Sequence, residues 1–349
     1  MKLEDLDFEI NSDLIALRPS KPRDESKLLI SEDPLKIIKF KNIIEILKPG
    51  DVLVVNDTKV IRSDITGHIN ESKVSINLNK IVDNKKKLWS AFIKSNKRIQ
   101  LEQKIYLKYN VYCKVVEIKK EKNYVSYIIK FSLRFLDLIE FLNSHGDIPL
   151  PAYIKKKRQI NQSDIKNYQT IFADKVGAVA APTASLHFTK RLIDKIKKKG
   201  INIVTLTLHV NGGTFLPIKS NVVEDHLMHF EKGLITQESA SKINYFKKKG
   251  GRIFAVGTTV LRLLESSKDN QGRIKAFDGE TNIYIKPGWK INTIDALITN
   301  FHTPKSTLLL LIYAILGKRR TQEIYSFAIK RRMRFFSYGD ACLIWNKNE

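Results

Sequence analysis

The sequence predicts an α/β protein, a mixed or parallel sheet layered with helices, that carries an inserted small antiparallel β-barrel. Three observations lead there. From Val176 onward, apolar runs of strand length alternate with segments of helical period, as in a parallel sheet covered by helices. Between about Ile61 and Phe131 the period changes to two, at Val74, Ile76 and Leu78, at Ile105, Leu107, Tyr109 and Val111, and at Tyr127, Ile129 and Phe131. Polar turns at Asp83-Asn84 and Glu121-Lys122-Asn123 separate these runs, and several short strands in so little chain indicate a small barrel or sandwich. Finally, Asp51 to Val55 reads as another α/β strand lying ahead of the β-rich segment, so the barrel interrupts the α/β domain. The expected division is residues 1–60 and 146–349 for the α/β domain and 61–145 for the barrel.

Along the chain, a helix ending near Lys48-Pro49-Gly50 precedes the strand Asp51 to Val55. The barrel is closed by a helix from Leu133 to Asn143, with Phe135, Leu138, Ile139 and Leu142 on one stripe. Val176 to Ala181 reads as a buried strand, and Leu186 to Lys199 as an amphipathic helix stopped by Gly200. Ile201 to Leu208 is the next strand, and Thr236 caps a helix that ends at Lys249-Gly250-Gly251. Arg252 to Val256 is a strand, Thr259 to Ser266 a helix, and Asn282 to Ile285 and Ile294 to Ile298 are further strands. The polar run Thr299 to Thr307 then enters the apolar segment Leu308 to Leu316.

A net charge of +25, from 61 basic and 36 acidic side chains, favours a polyanionic partner such as nucleic acid. Compositional drift of an A/T-rich genome, which raises Lys, Ile and Asn together, is the competing source of that charge. The run Leu308 to Leu316 is too short to span a bilayer, and Met1 to Asn11 mixes acidic and apolar residues, so a soluble cytoplasmic protein is expected. Cys113 and Cys342 form no Cys-x-x-Cys pair of the kind used for zinc or redox chemistry.

Ligands of open α/β sheets sit outside the carboxyl ends of the strands, so the residues just past each strand are informative. Asn56, Asp57 and Lys59 come after Val55; Thr183 and His187 after Ala181; His209 and Thr214 after Leu208. Thr258 comes after Val256, with Arg262 a turn further on, and Asn300 and His302 come after Ile298. Lys305 and Ser306 then stand at a helix start, where unpaired N–H groups and the positive dipole end suit an anion. Of the 7 histidines, His187, His209 and His302 lie after strands, while His226 and His229 lie in the loop from Asp225 to Glu231. One histidine at a strand end is most simply a hydrogen-bonded structural residue; several on one rim indicate a site.

Competing readings are weaker at each position. His226-x-x-His229 with Glu231 lacks zincin spacing and a third ligand, so no metal is expected. Gly257-Thr258-Thr259 lacks the dinucleotide fingerprint, and Lys305-Ser306-Thr307 lacks the glycines of a phosphate loop. Arg262 and Glu265 fit a surface ion pair. Near the C-terminus, Phe335 to Ala341 reads either as a strand and turn or, through its aromatic pair with Tyr338 and Asp340, as a clamp for a cation or purine.

Six segments in order, Leu14 to Ala16, Asp51 to Ile61, Gly146 to Pro151, Ala180 to Ala184, Thr299 to Thr307 and Arg334 to Ala341, resemble the S-adenosylmethionine:tRNA ribosyltransferase-isomerase family of queuosine biosynthesis. The resemblance spans nearly the whole chain. It implies an α/β domain with an inserted barrel, and transfer with isomerisation of the ribosyl part of S-adenosylmethionine onto 7-aminomethyl-7-deazaguanine at the tRNA wobble position. Epoxyqueuosine in tRNA, adenine and methionine would be the products. S-adenosylmethionine is then a consumed co-substrate and no cofactor is expected. The anticodon stem-loop is the polyanionic partner, no membrane is involved, and a monomer is expected. Four positions depart from the family pattern: Arg62-Ser63-Asp64 stands for Pro-Ala-Arg, Asn211 and Ser185 for glycine, and Thr303 for leucine.

In the implied chemistry the sulfonium acidifies the C5′ hydrogens, a base removes one, adenine leaves, the aminomethyl nitrogen attacks, and methionine departs as the epoxide closes. This needs a base, a proton donor for adenine and a neutral amine. The expected base is His209 or His302, with Asp340 or Asp225 as partner or acid. Lys305 suits the methionine carboxylate or a tRNA phosphate, and Phe336 and Tyr338 suit the sulfonium or adenine. The strand-end residues above, with His226, His229, Glu231 and Arg334, complete the expected substrate contacts. Two other readings are a non-catalytic basic RNA-binding protein using the β-barrel, and a phosphate-handling enzyme using Lys305 and Ser306.

Overall fold

The computed structural model describes residues 1–83, 85–120, 124–212, 218 and 222–346. An edge hairpin, β1 (Lys27–Ile30) and β2 (Lys36–Lys39), and a short helix α1 (Ile43–Ile46) lead into β3 (Val52–Asn56) and β4 (Thr58–Val60). Then come β5 (Asp64–Ile69), β6 (Ser72–Asp83), β7 (Leu88–Ser95), β8 (Lys104–Tyr106), β9 (Tyr112–Lys120) and β10 (Val125–Phe131). These six close as an antiparallel barrel in the order β10-β7-β6-β5-β8-β9. Helices α2 (Phe135–His145), α3 (Ala152–Lys155) and α4 (Gln162–Asn167) return the chain to β11 (Lys175–Ala178), α5 (Lys190–Lys198) and β12 (Asn202–Leu208). The remainder is β13 (Glu231–Ile235), α6 (Gln237–Lys248), β14 (Ile253–Val256), α7 (Thr258–Ser267), β15 (Phe277–Thr281), β16 (Ala296–Asn300), α8 (Thr307–Lys330) and β17 (Ala341–Trp345).

The main sheet has nine strands in the order β15-β13-β12-β3-β14-β16-β17-β1-β2. Its centre, β12-β3-β14-β16, is parallel, and antiparallel β13 and β15 extend one edge while β17 runs antiparallel to β16 at the other. All five residues of β3 are buried, as a strand covered on both faces requires. Alternation splits them: Val52 and Val54 pack with Ile243 of α6, Leu261 of α7 and Leu310 of α8, while Leu53 and Val55 pack with Leu192 and Ile196 of α5. The barrel has its own core around Val74, Ile76, Leu78, Trp89, Ile129 and Phe131.

Four expectations change. The strand after Val176 ends at Ala178 and pairs in parallel with β4, outside the main sheet. The helix expected from Leu186 starts at Lys190, because Thr183–His187 form a 3-10 turn and the Thr189 hydroxyl accepts from the Leu192 N–H to cap the helix. The alternating run from Ile105 to Val111 is not one strand: Tyr109 and Asn110 adopt φ of 56° and 57°, and Tyr109 is 78% exposed. Asn282 to Ile285 forms no strand; the Thr281 hydroxyl accepts from the Ile283 N–H, and Ile283 and Ile285 pack into the core without a ladder. The turns at Asn84 and Glu121 to Asn123 lie outside the described residues. Among the described residues no helix is long and apolar enough to cross a membrane; α8 is broken at Gly317, where φ is 74° and ψ 163°.

Candidate active site

The chain passes from β3 to β12 on one side and later builds β14 and β16 on the other, so its topological switch lies at the carboxyl ends of β3 and β14. A cavity of about 60 Å³ sits on this edge, walled by Ala181 to Ala184, Gly257 to Thr259, Thr299 to Thr303, Phe336 and Ser337. It adjoins a cleft of about 760 Å³ between the barrel and the α/β layer, and Tyr153 and Thr303 line both. The barrel contributes Asp64, Asn77 and Phe92 to the cleft; the α/β side contributes Asp147, Lys155, Lys156 and Tyr168.

The rim is held by side chains that bond to one another. Thr183 donates to Asn300 Oδ1 at 3.0 Å, and Asn300 Nδ2 donates to His187 Nε2 at 3.2 Å. That leaves the His187 proton on Nδ1 for the Ser26 hydroxyl, 2.7 Å away. His187 stacks on Phe40 with centroids 4.8 Å apart, and burial, helped by Arg334 and Arg23, pushes it down to about 3. It is a neutral structural imidazole. Asn56 pins β3 to β12, donating to the Leu208 carbonyl at 2.9 Å and accepting from the Leu208 N–H at 3.1 Å.

Of the four expected proton carriers, His302 alone lines the cavity. Its Nε2 lies 2.9 Å from the Thr299 hydroxyl, its backbone N–H donates to the Tyr325 hydroxyl at 3.0 Å, and burial pushes it down to about 3. His209 points away, with Nδ1 2.8 Å from the Thr58 hydroxyl. Its ring packs so closely on Gly177 that a Cβ there would fall 2.7 Å from it. Burial and Lys232 hold His209 below the usual histidine range. Asp340 accepts from the backbone N–H groups of Lys27 at 2.9 Å and Arg334 at 2.8 Å, so it clamps the loop carrying Phe336. Asp225 is exposed.

The helix start at Lys305 and Ser306 is filled from within. Ser306 accepts from the Leu309 N–H at 3.2 Å and donates to the Thr303 carbonyl at 2.7 Å, while Lys305 Nζ lies 2.7 Å from Asp7 Oδ2. Phe336, at φ 68°, lines the cavity and meets the edge of Tyr153 at 5.2 Å. Tyr338 is buried against Tyr168, 6.1 Å between centroids, away from the cavity wall. Arg334 reaches back to the Ser20 hydroxyl at 2.5 Å.

A family model described as queuosine biosynthesis protein matches residues 3–344. The chain belongs to that family. It is 43% identical over 347 residues to the S-adenosylmethionine:tRNA ribosyltransferase-isomerase of Erythrobacter litoralis, covering 99% of this chain and 98% of the relative. It is equally 43% identical to the protein of that name from Rickettsia peacockii, over 376 residues and 100% of that relative. The crystal structure of S-adenosylmethionine tRNA ribosyltransferase from Thermotoga maritima is similar with a TM-score of 0.53 and 29% identity, covering 97% of this chain and 99% of that one.

Other expected contacts of this family member lie off the cavity. Asp57 accepts from the Thr207 hydroxyl at 2.6 Å and faces a separate cavity, and Lys59 is exposed. His226 meets Tyr284 with ring centroids 5.9 Å apart, and His229 meets Tyr124 of the barrel at 5.9 Å. Thr214 lies outside the described residues. Arg262 and Glu265 form no surface pair: both are buried, Arg262 pairs with Glu231, and Glu265 accepts from Trp289, Thr293 and Lys268.

Of the cleft residues, Tyr153, Asn77, Phe92 and Lys155 are not among the expected contacts, and Asp64 is marked only as a departure from the family pattern. They come from a one-turn helix and from strands of the barrel, where the alternation marks the core positions and not these. Asp64, at one departure from the family pattern, is held by Lys155 Nζ at 2.7 Å and by the Asn77 amide. Burial nevertheless keeps its carboxyl above the usual range. At another departure, Asn211 donates from its backbone to Glu231 at 3.1 Å and from its amide to the Phe230 carbonyl at 2.6 Å.

Proposed function

We propose that the protein transfers and isomerises the ribosyl moiety of S-adenosylmethionine onto 7-aminomethyl-7-deazaguanine at the wobble position of tRNA, releasing adenine and methionine and leaving epoxyqueuosine. Beside membership of the family, one observation carries this reading: a small polar-rimmed cavity at the switch point adjoins a cleft large enough for a nucleoside and a flipped base. The S-adenosylmethionine straddles the two, and the modified base enters from the cleft, where Phe92 and Tyr153 offer aromatic faces.

His302 takes the C5′ hydrogen that the sulfonium acidifies. With its Nε2 proton donated to the Thr299 hydroxyl, the neutral ring leaves Nδ1 to accept, although a base this weak relies on the sulfonium for driving force. Adenine departs with a proton, the neutral aminomethyl nitrogen forms the new C–N bond and gives up a proton, and methionine leaves as the epoxide closes. His187, Asn300 and Thr183 hold the rim, and Asp340 and Arg334 hold the Phe336 loop; these are positioning residues. S-adenosylmethionine is consumed, so the reaction draws on no resident cofactor.

The partner is the anticodon stem-loop, met beside the cleft where Lys156 is exposed. The protein acts as a monomer in the cytoplasm, where tRNA and S-adenosylmethionine meet. The cavity, with Thr183, Thr258, Asn300 and His302 in its wall, separates this reading from RNA binding by the barrel alone. Digestion of the tRNA after incubation, with mass analysis of its nucleosides, tests it: epoxyqueuosine is expected, and bound but unmodified tRNA refutes it.

A further inference from the structure

Two helices of more than eight residues begin on the carboxyl edge of the sheet, and they differ. The start of α8 is occupied by the Ser306 hydroxyl and by the Lys305–Asp7 pair. The start of α7 is open. Its N-cap is Gly257, at φ 101° and without a side chain to cap, and the N–H groups of Thr258 and Thr259 have no partner among the described residues. Both residues wall the 60 Å³ cavity. The Thr258 hydroxyl is an independent sign of a ligand: its residue is 5% exposed, it lines the cavity, and it has no hydrogen-bond partner among the described residues. No aspartate or glutamate lines this cavity, so nothing there repels an anion. Its volume suits a carboxylate and a few neighbouring atoms, whereas the nucleoside needs the adjoining cleft.

We infer that the N-terminus of α7, with the Thr258 hydroxyl, binds the α-carboxylate of the methionine moiety of S-adenosylmethionine. This rests on the function proposed above and assigns one end of its substrate. The carboxylate accepts from the two free N–H groups and from Thr258, at the positive end of the helix dipole. The rest of the molecule then runs past Thr303 and Tyr153 toward the cleft.

Equilibrium binding of S-adenosylmethionine and of its decarboxylated analogue, to the full-length protein, tests the inference. The wild type is expected to bind the analogue at least about tenfold more weakly. Thr258→Val should erode most of that ratio by weakening S-adenosylmethionine alone, and Thr258→Ser, which keeps the hydroxyl, should restore it. Equal binding of both ligands to the wild type, or a ratio unchanged in Thr258→Val, overturns the inference. Collapse of the ratio in Lys305→Ala overturns it too, by placing the carboxylate at α8. Failure of the wild type to bind S-adenosylmethionine at all refutes the function on which it rests.

Discussion

His302 and His187 are both held neutral by burial, and the consequence reaches turnover and stability together. With its ring in the cavity wall, His302→Ala should slow adenine release by about 100-fold or more while tRNA affinity stays the same. Near-normal turnover would remove His302 from the chemistry. Both imidazoles have folded values near 3, below the ordinary 6.5, so the unfolded chain binds more protons between those limits. Their contribution is therefore complete above about pH 6.5 and is lost as the pH falls toward 3. Urea midpoints should drop from pH 7 to pH 5, and His187→Gln should flatten that slope; a slope unchanged in the variant would contradict the account. The Glu231–Arg262 pair behaves differently, because truncating one member strands a buried charge. Arg262→Ala should cost about 3 kcal/mol or more in denaturant unfolding. The sequence names His302 as a candidate base but hides the buried pair: Arg262 looks like half of a surface pair with Glu265, since three-residue spacing says nothing about what lies across the sheet.

At the scale of elements, the central strands and the capped helices are legible. β3, β12, β14 and α6 fall close to their expected limits because continuous apolar runs, glycine stops and the Thr236 cap all mark the same boundaries. The edges are not. β11 leaves the sheet to pair with β4, and the residues before α5 form a 3-10 turn, both set by contacts that no local period records. The joint between β14 and α7 bears on the inferred carboxylate contact. Gly257 adopts φ 101° and ψ 151°, a conformation that a side chain resists even though the nearest atoms to a Cβ there are 3.5 Å away. Gly257→Ala should cost about 2 kcal/mol. If α7 begins at the ligand, the same change should raise the KM for S-adenosylmethionine more than it lowers kcat.

Across the whole molecule, the sheet rim is foreseeable and the cleft is not. One rule about the carboxyl ends of strands brings Thr258, Asn300 and His302 to one cavity, while Thr183 reaches it from the turn after β11, outside the main sheet. The cleft joins Asp64 and Phe92 of the barrel to Tyr153 and Lys155, residues far apart in sequence that only the folded chain brings together. In the proposed reaction the barrel and the sheet share the substrate, and the net charge of +25 favours its polyanionic tRNA. Binding of tRNA should weaken steeply with salt, and Lys156→Ala should lower the slope of log K against log salt by about 1. An unchanged slope would take Lys156 out of the tRNA surface. The most direct measurement is free adenine released from S-adenosylmethionine in the presence of tRNA bearing 7-aminomethyl-7-deazaguanine, with guanine-bearing tRNA as the blank. The account predicts adenine in step with methionine, one of each per modified tRNA, and none in the blank; tRNA that binds without releasing adenine would contradict it.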